Sequence, residues 1–271
     1  MLTNKFIMKN LQRFKNKKAL ITGANGGIGS KLVESLKREG AIVAVTDLDT
    51  SKITADANFD GDLQDSKFCD DLPRKVAKKL NGLDFLCNIA GVITRGKINE
   101  VTDQEYNLTM KVNVEAPFRL CRSTIPLMKK GGNIVNVSSC WGLRPGPNHP
   151  LYVMSKSAIA SLTQCLGIDH AHQGIRINAI APGPFPTEGA WARLSPGQDP
   201  NEAASDSSGT YSQNPMGRVG EMEELGNLAT FLMADGCNYL NGQTIAIDGA
   251  EYLTGGTFYR ALASMKDEDW A

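Results

Sequence analysis

The chain has 271 residues, with 29 basic and 29 acidic side chains and no net charge, a balance that leaves no electrostatic footprint for nucleic acid or an anionic membrane. Its length suits one α/β domain with a well-buried core. The six cysteines are scattered, with neither a Cys-x-x-Cys pair nor a histidine at ligand spacing; they read as reduced thiols of a cytoplasmic protein, and no metal site is expected.

No apolar stretch approaches the roughly 18 residues of a membrane span. Residues 1–17 form a basic arm (Lys5, Lys9, Arg13, Lys15, Lys17) that lacks the apolar run and cleavage site of a signal peptide and reads as frayed or weakly helical. From residue 18 onward, short β-branched runs alternate with longer amphipathic segments. The pattern predicts strands at 19–22, 41–47, 83–88, 134–138, 175–181 and 244–248, a weaker one near 57–59, and helices at 27–38, 66–80, 103–128, 152–172 and 221–233. That alternation specifies a Rossmann-like, doubly wound parallel sheet of about seven strands, covered by helices on both faces, within a single domain 18–271. The link between Asp47 and Asp62 is too short for a full crossover helix and is expected to be trimmed or helix-free.

Between the first strand and the first helix stands Thr22-Gly23-Ala24-Asn25-Gly26-Gly27-Ile28-Gly29. Glycines in that position let the backbone turn sharply and approach a pyrophosphate, which the helix N-terminus favours. Asp47 ends the second strand, where a carboxylate accepts hydrogen bonds from an adenosine ribose and repels a 2′-phosphate, so NAD is favoured over NADP. Asp62 with Leu63 is placed to hold the adenine. The small residues of Asn88-Ile89-Ala90-Gly91 leave room for a nicotinamide ribose.

Tyr152 and Lys156 are four residues apart and share one helix face, with Ser139 thirteen positions before the tyrosine. A neighbouring ammonium favours the phenolate and is expected to lower the tyrosine from its usual value near 10 towards the range of a general acid/base. Asn113 lies within a predicted helix, where it could equally be a cap or a kink.

Together, the Thr22–Gly29 motif, Asp62, Asn88-Ile89-Ala90-Gly91, Asn113, Ser138-Ser139, Tyr152-x-x-x-Lys156, Asn178 and Pro182-Gly183 resemble the classical short-chain dehydrogenase/reductase family, in family order over most of the chain. The resemblance implies catalysis by Asn113, Ser139, Tyr152 and Lys156. In that scheme Tyr152 exchanges the proton, Lys156 binds the nicotinamide ribose, Ser139 orients the substrate oxygen and Asn113 holds a water of a proton relay. It also implies cofactor contacts from Gly23, Asn25, Gly26, Gly27, Ile28 and Gly29, from Asp47 and Leu48, and from Asp62 and Leu63. Further contacts are implied for Asn88, Ala90, Gly91, Tyr152 and Lys156, and for Pro182, Gly183, Phe185 and Thr187 after the sixth strand. A tetramer or dimer is implied as well.

The loop 184–215 is rich in Gly, Pro, Ser, Asp and Asn, carries Phe185 and Trp191, and reads as a substrate lid. Residues expected to face the substrate are Arg95, Ser139, Trp141, Arg144, His149 and Trp191. Arg95, Arg144 and Arg193 would suit a carboxylate or sulfonate if they turn inward, and are surface arginines otherwise. The segment 141–149 looks like dehydrogenases of small polar alcohols and hydroxy acids, whereas 182–189, Gly217-Arg218 and the extension 250–271 look more like 2,4-dienoyl-CoA reductases. The leading expectation is an NAD-dependent oxidoreductase of a secondary alcohol or its ketone. The alternatives are a 3-oxoacyl or enoyl thioester reductase, and a dinucleotide-binding sensor or scaffold without catalysis.

Overall fold

The structure is a computed structural model and describes residues 12–187 and 214–254. Seven strands form one parallel sheet: β1 (Lys18–Thr22), β2 (Ile42–Asp47), β3 (Ala57–Asp60), β4 (Phe85–Asn88), β5 (Asn133–Val137), β6 (Arg176–Pro182) and β7 (Thr244–Ile247), in the order β3-β2-β1-β4-β5-β6-β7. The order reverses between β1 and β4, which opens a crevice at the carboxyl ends of the strands. Every residue of β5 and of β6 is buried, as expected for strands covered on both faces.

The helices are α1 (Gly27–Arg38), α2 (Ser66–Leu80), α3 (Asp103–Met110), α4 (Ala116–Thr124), α5 (Cys140–Leu143), α6 (Pro150–His170) and α7 (Met222–Met233). Helical period decides what they bury. Gly29, Leu32, Val33 and Leu36 form one stripe of α1, which packs with Leu225, Ala229 and Leu232 of α7 on one face of the sheet. Leu72 and Val76 of α2 join Leu120 and Cys121 of α4 on the other. Helix α2 starts at Asp65, whose carboxylate accepts the N–H groups of Lys67 and Phe68 at 2.8 and 3.2 Å, and stops at left-handed Asn81 (φ 56°).

The β2–β3 link is helix-free, as expected. Asp60 accepts the Thr50 N–H at 2.9 Å and Asn58 donates to the carbonyls of Thr50 and Ile53, so side chains stand in for a helix's own bonds. Three expectations are corrected. Residues 12–17 belong to the domain and not to a frayed arm: Phe14 is 1% exposed and meets Phe85 edge-on at 5.2 Å, while Arg13 pairs with Glu39. The predicted helix 103–128 is broken into α3, a π-helical segment Lys111–Glu115, α4 and a final 3-10 turn. The four-residue α5 falls where no element was predicted. Most of the loop 184–215, with Trp191 and Arg193, and most of the extension 250–271 lie outside the described residues.

Candidate active site

The carboxyl ends of β1, β4, β5 and β6 and the loops that follow them border a cleft of about 780 Å³. One end is built by glycine. Gly23 (φ 66°) lies so close to the β4 loop that an added Cβ would stand 2.7 Å from the Ala90 Cα, and Thr22 Oγ1 fixes that approach by accepting the N–H groups of Ile89 and Ala90 at 3.1 and 3.2 Å. A Cβ on Gly29 would come within 2.1 Å of the Gly23 carbonyl, and one on Gly27 within 2.7 Å of Thr187 Cγ2. The glycine turn is therefore folded back on the start of α1, and the β6 loop crosses it. This cradle fits a dinucleotide pyrophosphate, with unobstructed backbone at a helix N-terminus.

Asp47 stands at the rim, accepting the N–H of Asn25 at 2.9 Å and of Leu48 at 2.8 Å; Leu48 itself is 71% exposed beside it. Asp62, Leu63, Ala90, Gly91, Pro182, Gly183, Phe185 and Thr187 also border the cleft. Asn88 does not. It is buried behind the wall, donating to Asn136 Oδ1 at 2.9 Å, and Asn136 in turn donates to Thr163, so Asn88 braces β4 against β5 and α6 and does not face the crevice.

At the other end Tyr152 and Lys156 lie one turn apart on α6, with Ser139 as the N-cap of α5. Ser139 Oγ accepts the Trp141 N–H at 3.2 Å and is hydrogen-bonded to the Tyr152 phenol, so the serine and tyrosine hydroxyls lie side by side in the cleft. Lys156 is 4% exposed; its Nζ donates to the Val137 carbonyl at 2.9 Å and sits 5.7 Å from the centre of the Tyr152 ring. Ser138 Oγ donates to the Lys156 carbonyl at 2.7 Å, and Gly142 allows α5 to approach that same carbonyl, where a Cβ would stand 2.8 Å away.

Asn113 lies in the π-helical segment. Its side-chain amide is held on both ends: Oδ1 accepts the Val92 N–H at 2.8 Å, and Nδ2 donates to the Val92 carbonyl at 2.8 Å and to Ser155 Oγ at 3.0 Å. The backbone carbonyl of Asn113 is a further polar group at this point. Four residues on, Pro117 has no N–H to give that carbonyl in the usual helical bond.

The electrostatics correct one expectation. Burial pushes the Tyr152 phenol up to about 12, although the Ser139 hydrogen bond pulls it down, and burial lowers the Lys156 ammonium to about 8. The lysine does not bring the phenol towards neutrality here, because desolvation disfavours both charged forms and Nζ is turned to the Val137 carbonyl.

Of the substrate candidates, Arg95, Ser139, Trp141 and His149 border the cleft. Arg144 does not: its guanidinium donates to the Tyr252 carbonyl at 3.1 Å. Phe185 borders the cleft but is only 5% exposed, its ring filling the space that a side chain at Gly220 would need. Ser155 and Glu251 carried no signal in the sequence, and Thr22 figured only as the first residue of the glycine motif. Pro117 inside the predicted helix was the available signal for the break near Asn113; nothing local distinguishes Ser155 from any other helix serine.

Comparison with known proteins gives the same class. Residues 23–250 match the family model described as Enoyl-(Acyl carrier protein) reductase. An uncharacterized oxidoreductase of Thermotoga maritima is 36% identical over 249 residues, covering 87% of this chain and 97% of the relative. Galactitol 2-dehydrogenase of Agrobacterium fabrum is 30% identical over 262 residues, covering 89% and 100%. Among solved structures, a short-chain dehydrogenase of Burkholderia cenocepacia in complex with NADP superposes with a TM-score of 0.76 at 26% identity, covering 88% of this chain and 98% of that one. The chain belongs to the short-chain dehydrogenase/reductase family and is an oxidoreductase of that type, with a nicotinamide dinucleotide as its cofactor.

Proposed function

We propose that the protein is an NAD-dependent dehydrogenase of a secondary alcohol, with a small polar substrate. One observation carries the reading: a single cleft holds Ser139, Tyr152 and Lys156 together with the Asp47 carboxylate, which accepts the N–H groups of Asn25 and Leu48. A 2′-phosphate at that rim would meet a negative charge that no ion pair offsets among the described residues. When bound, the dinucleotide supplies or accepts the hydride. Tyr152 gives a proton to the substrate oxygen in reduction and takes it in oxidation, the Ser139 hydroxyl orients that oxygen, and the Asn113 carbonyl holds the water that connects the site to solvent. Residues 23–29 would hold the pyrophosphate.

Galactitol 2-dehydrogenase acts on a polyol by its name, which supports a polar alcohol here. The description of the matching family model favours a second reading, a reductase of an enoyl or 3-oxoacyl thioester. Initial rates with NAD and NADP on polyols and hydroxy acids, set against NADH and NADPH on acyl thioesters, separate the two. Preferential turnover of acyl thioesters with NADPH would overturn the proposal, whereas bound dinucleotide with no turnover on either panel would favour a sensor. Apolar side chains exposed on α4 and α6 (Phe118, Met154, Ile168) support a homo-oligomer, and six free cysteines support a cytoplasmic location.

A further inference from the structure

We infer that His149 reads a second hydroxyl of the substrate, and hence that the preferred substrate is a vicinal diol or polyol. The inference rests on the alcohol-dehydrogenase reading above and narrows it. His149 precedes α6 and lies three residues before Tyr152, so the two side chains emerge on the same side of the first turn. Its ring packs on Trp141 with centroids 4.5 Å apart, and Trp141 meets the Tyr152 ring edge-on at 6.3 Å. The imidazole is thus fixed beside the reacting phenol and borders the same cleft.

The tautomer follows from its partner. Nδ1 is 2.8 Å from the Pro147 carbonyl, and a carbonyl only accepts, so Nδ1 carries the proton. In the neutral ring Nε2 is then an acceptor. The residue is 6% exposed, and Nε2 is buried with no hydrogen-bond partner among the described residues. A buried polar atom without a partner is costly, and a substrate O–H would satisfy it. An anion would not, since an unprotonated nitrogen has no proton to give a carboxylate. Of the two described arginines that could bind an anion, Arg144 is turned to the Tyr252 carbonyl, while Arg95 borders the cleft and would meet a part of the substrate other than the one at Nε2. A carbinol held at Ser139 and Tyr152 with a hydroxyl on the neighbouring carbon meets both requirements.

The test compares a vicinal butanediol and a hexitol with a secondary butanol lacking the second hydroxyl, each with NAD, in the wild type and two variants. His149→Phe keeps a ring against Trp141 and removes the acceptor; His149→Gln restores an acceptor oxygen. The wild type should favour the diols by about tenfold in kcat/KM, the effect of one neutral hydrogen bond. His149→Phe should bring the ratio near one, chiefly through KM for the diols, and His149→Gln should recover part of it. A wild-type ratio near one, or a ratio that His149→Phe leaves unchanged, would overturn the inference while leaving the alcohol reading intact. Turnover of neither alcohol class, with acyl thioesters reduced instead, would overturn both.

Discussion

Asn113 and Ser155 hold each other across the site. The Asn113 amide donates to Ser155 Oγ at 3.0 Å, and that hydroxyl donates to the Tyr152 carbonyl at 2.8 Å, so one serine joins the π-helical segment to the turn that presents the proton donor. Ser155 is buried and touches no reacting atom; it positions those that do. Ser155→Ala should lower kcat by roughly tenfold or more, since small misplacement of a catalytic group is costly, and leave the dinucleotide Kd within a few-fold. Ser155→Thr, which keeps the hydroxyl, should recover most of the loss. A fall in Tm with unchanged kcat would assign Ser155 to stability alone.

The carboxylate of Asp47 accepts two backbone N–H groups at the rim of the cleft. Like charges about 4 Å apart repel by roughly 1–4 kcal/mol near a protein surface. Asp47→Ser should therefore shrink the preference for NAD over NADP in kcat/KM by about tenfold or more, mainly by improving NADP. An unchanged ratio would remove Asp47 from cofactor choice.

Lys156 costs the fold stability. Burial holds its ammonium at about 8, below its ordinary 10.5. Between these values the unfolded chain binds more protons than the folded one, so stability rises with pH across the window, and the full penalty is felt below about 8. The gap corresponds to roughly 3 kcal/mol. Lys156→Met removes the charge but leaves the Val137 carbonyl unpaired, for a net gain of about 1–2 kcal/mol near neutral pH. Thermal melts should show Tm higher by roughly 2–6 °C at about pH 7, with the advantage gone near pH 10 and turnover abolished. A Tm difference that does not change with pH would show that the buried charge is not its source.

Much of this was legible because the signals were local and repeated. β-branched runs mark strands buried on both faces, and α1 and α2 run between the predicted residues, α1 after the glycine turn and α2 between the Asp65 cap and left-handed Asn81. The glycine cradle was legible for the same reason: steric need at Gly23, Gly27 and Gly29 leaves little alternative. The remainder depends on partners distant in sequence. Phe14 looks like part of a basic arm until Phe85 is placed beside it, and Arg144 looks like an anion ligand until the Tyr252 carbonyl takes its guanidinium. Pro117 marks the break at Lys111–Glu115, but what the Asn113 amide does there depends on Val92, which engages it from another loop. The Tyr152–Lys156 spacing gave their common face, but desolvation depends on what packs round them, and it reversed the direction of the phenol's shift.

If Tyr152 carries the proton of an NAD-linked alcohol oxidation, its phenol oxygen is indispensable to turnover and dispensable for cofactor binding. Tyr152→Phe removes one oxygen from a ring that keeps its place against Trp141. Rates of NADH formation from a vicinal diol, measured beside NADH binding, test it most directly: kcat should fall by about 10²–10⁴-fold, the usual contribution of a positioned acid/base group, while the Kd for NADH stays within a few-fold. Turnover within a few-fold of wild type would contradict the account.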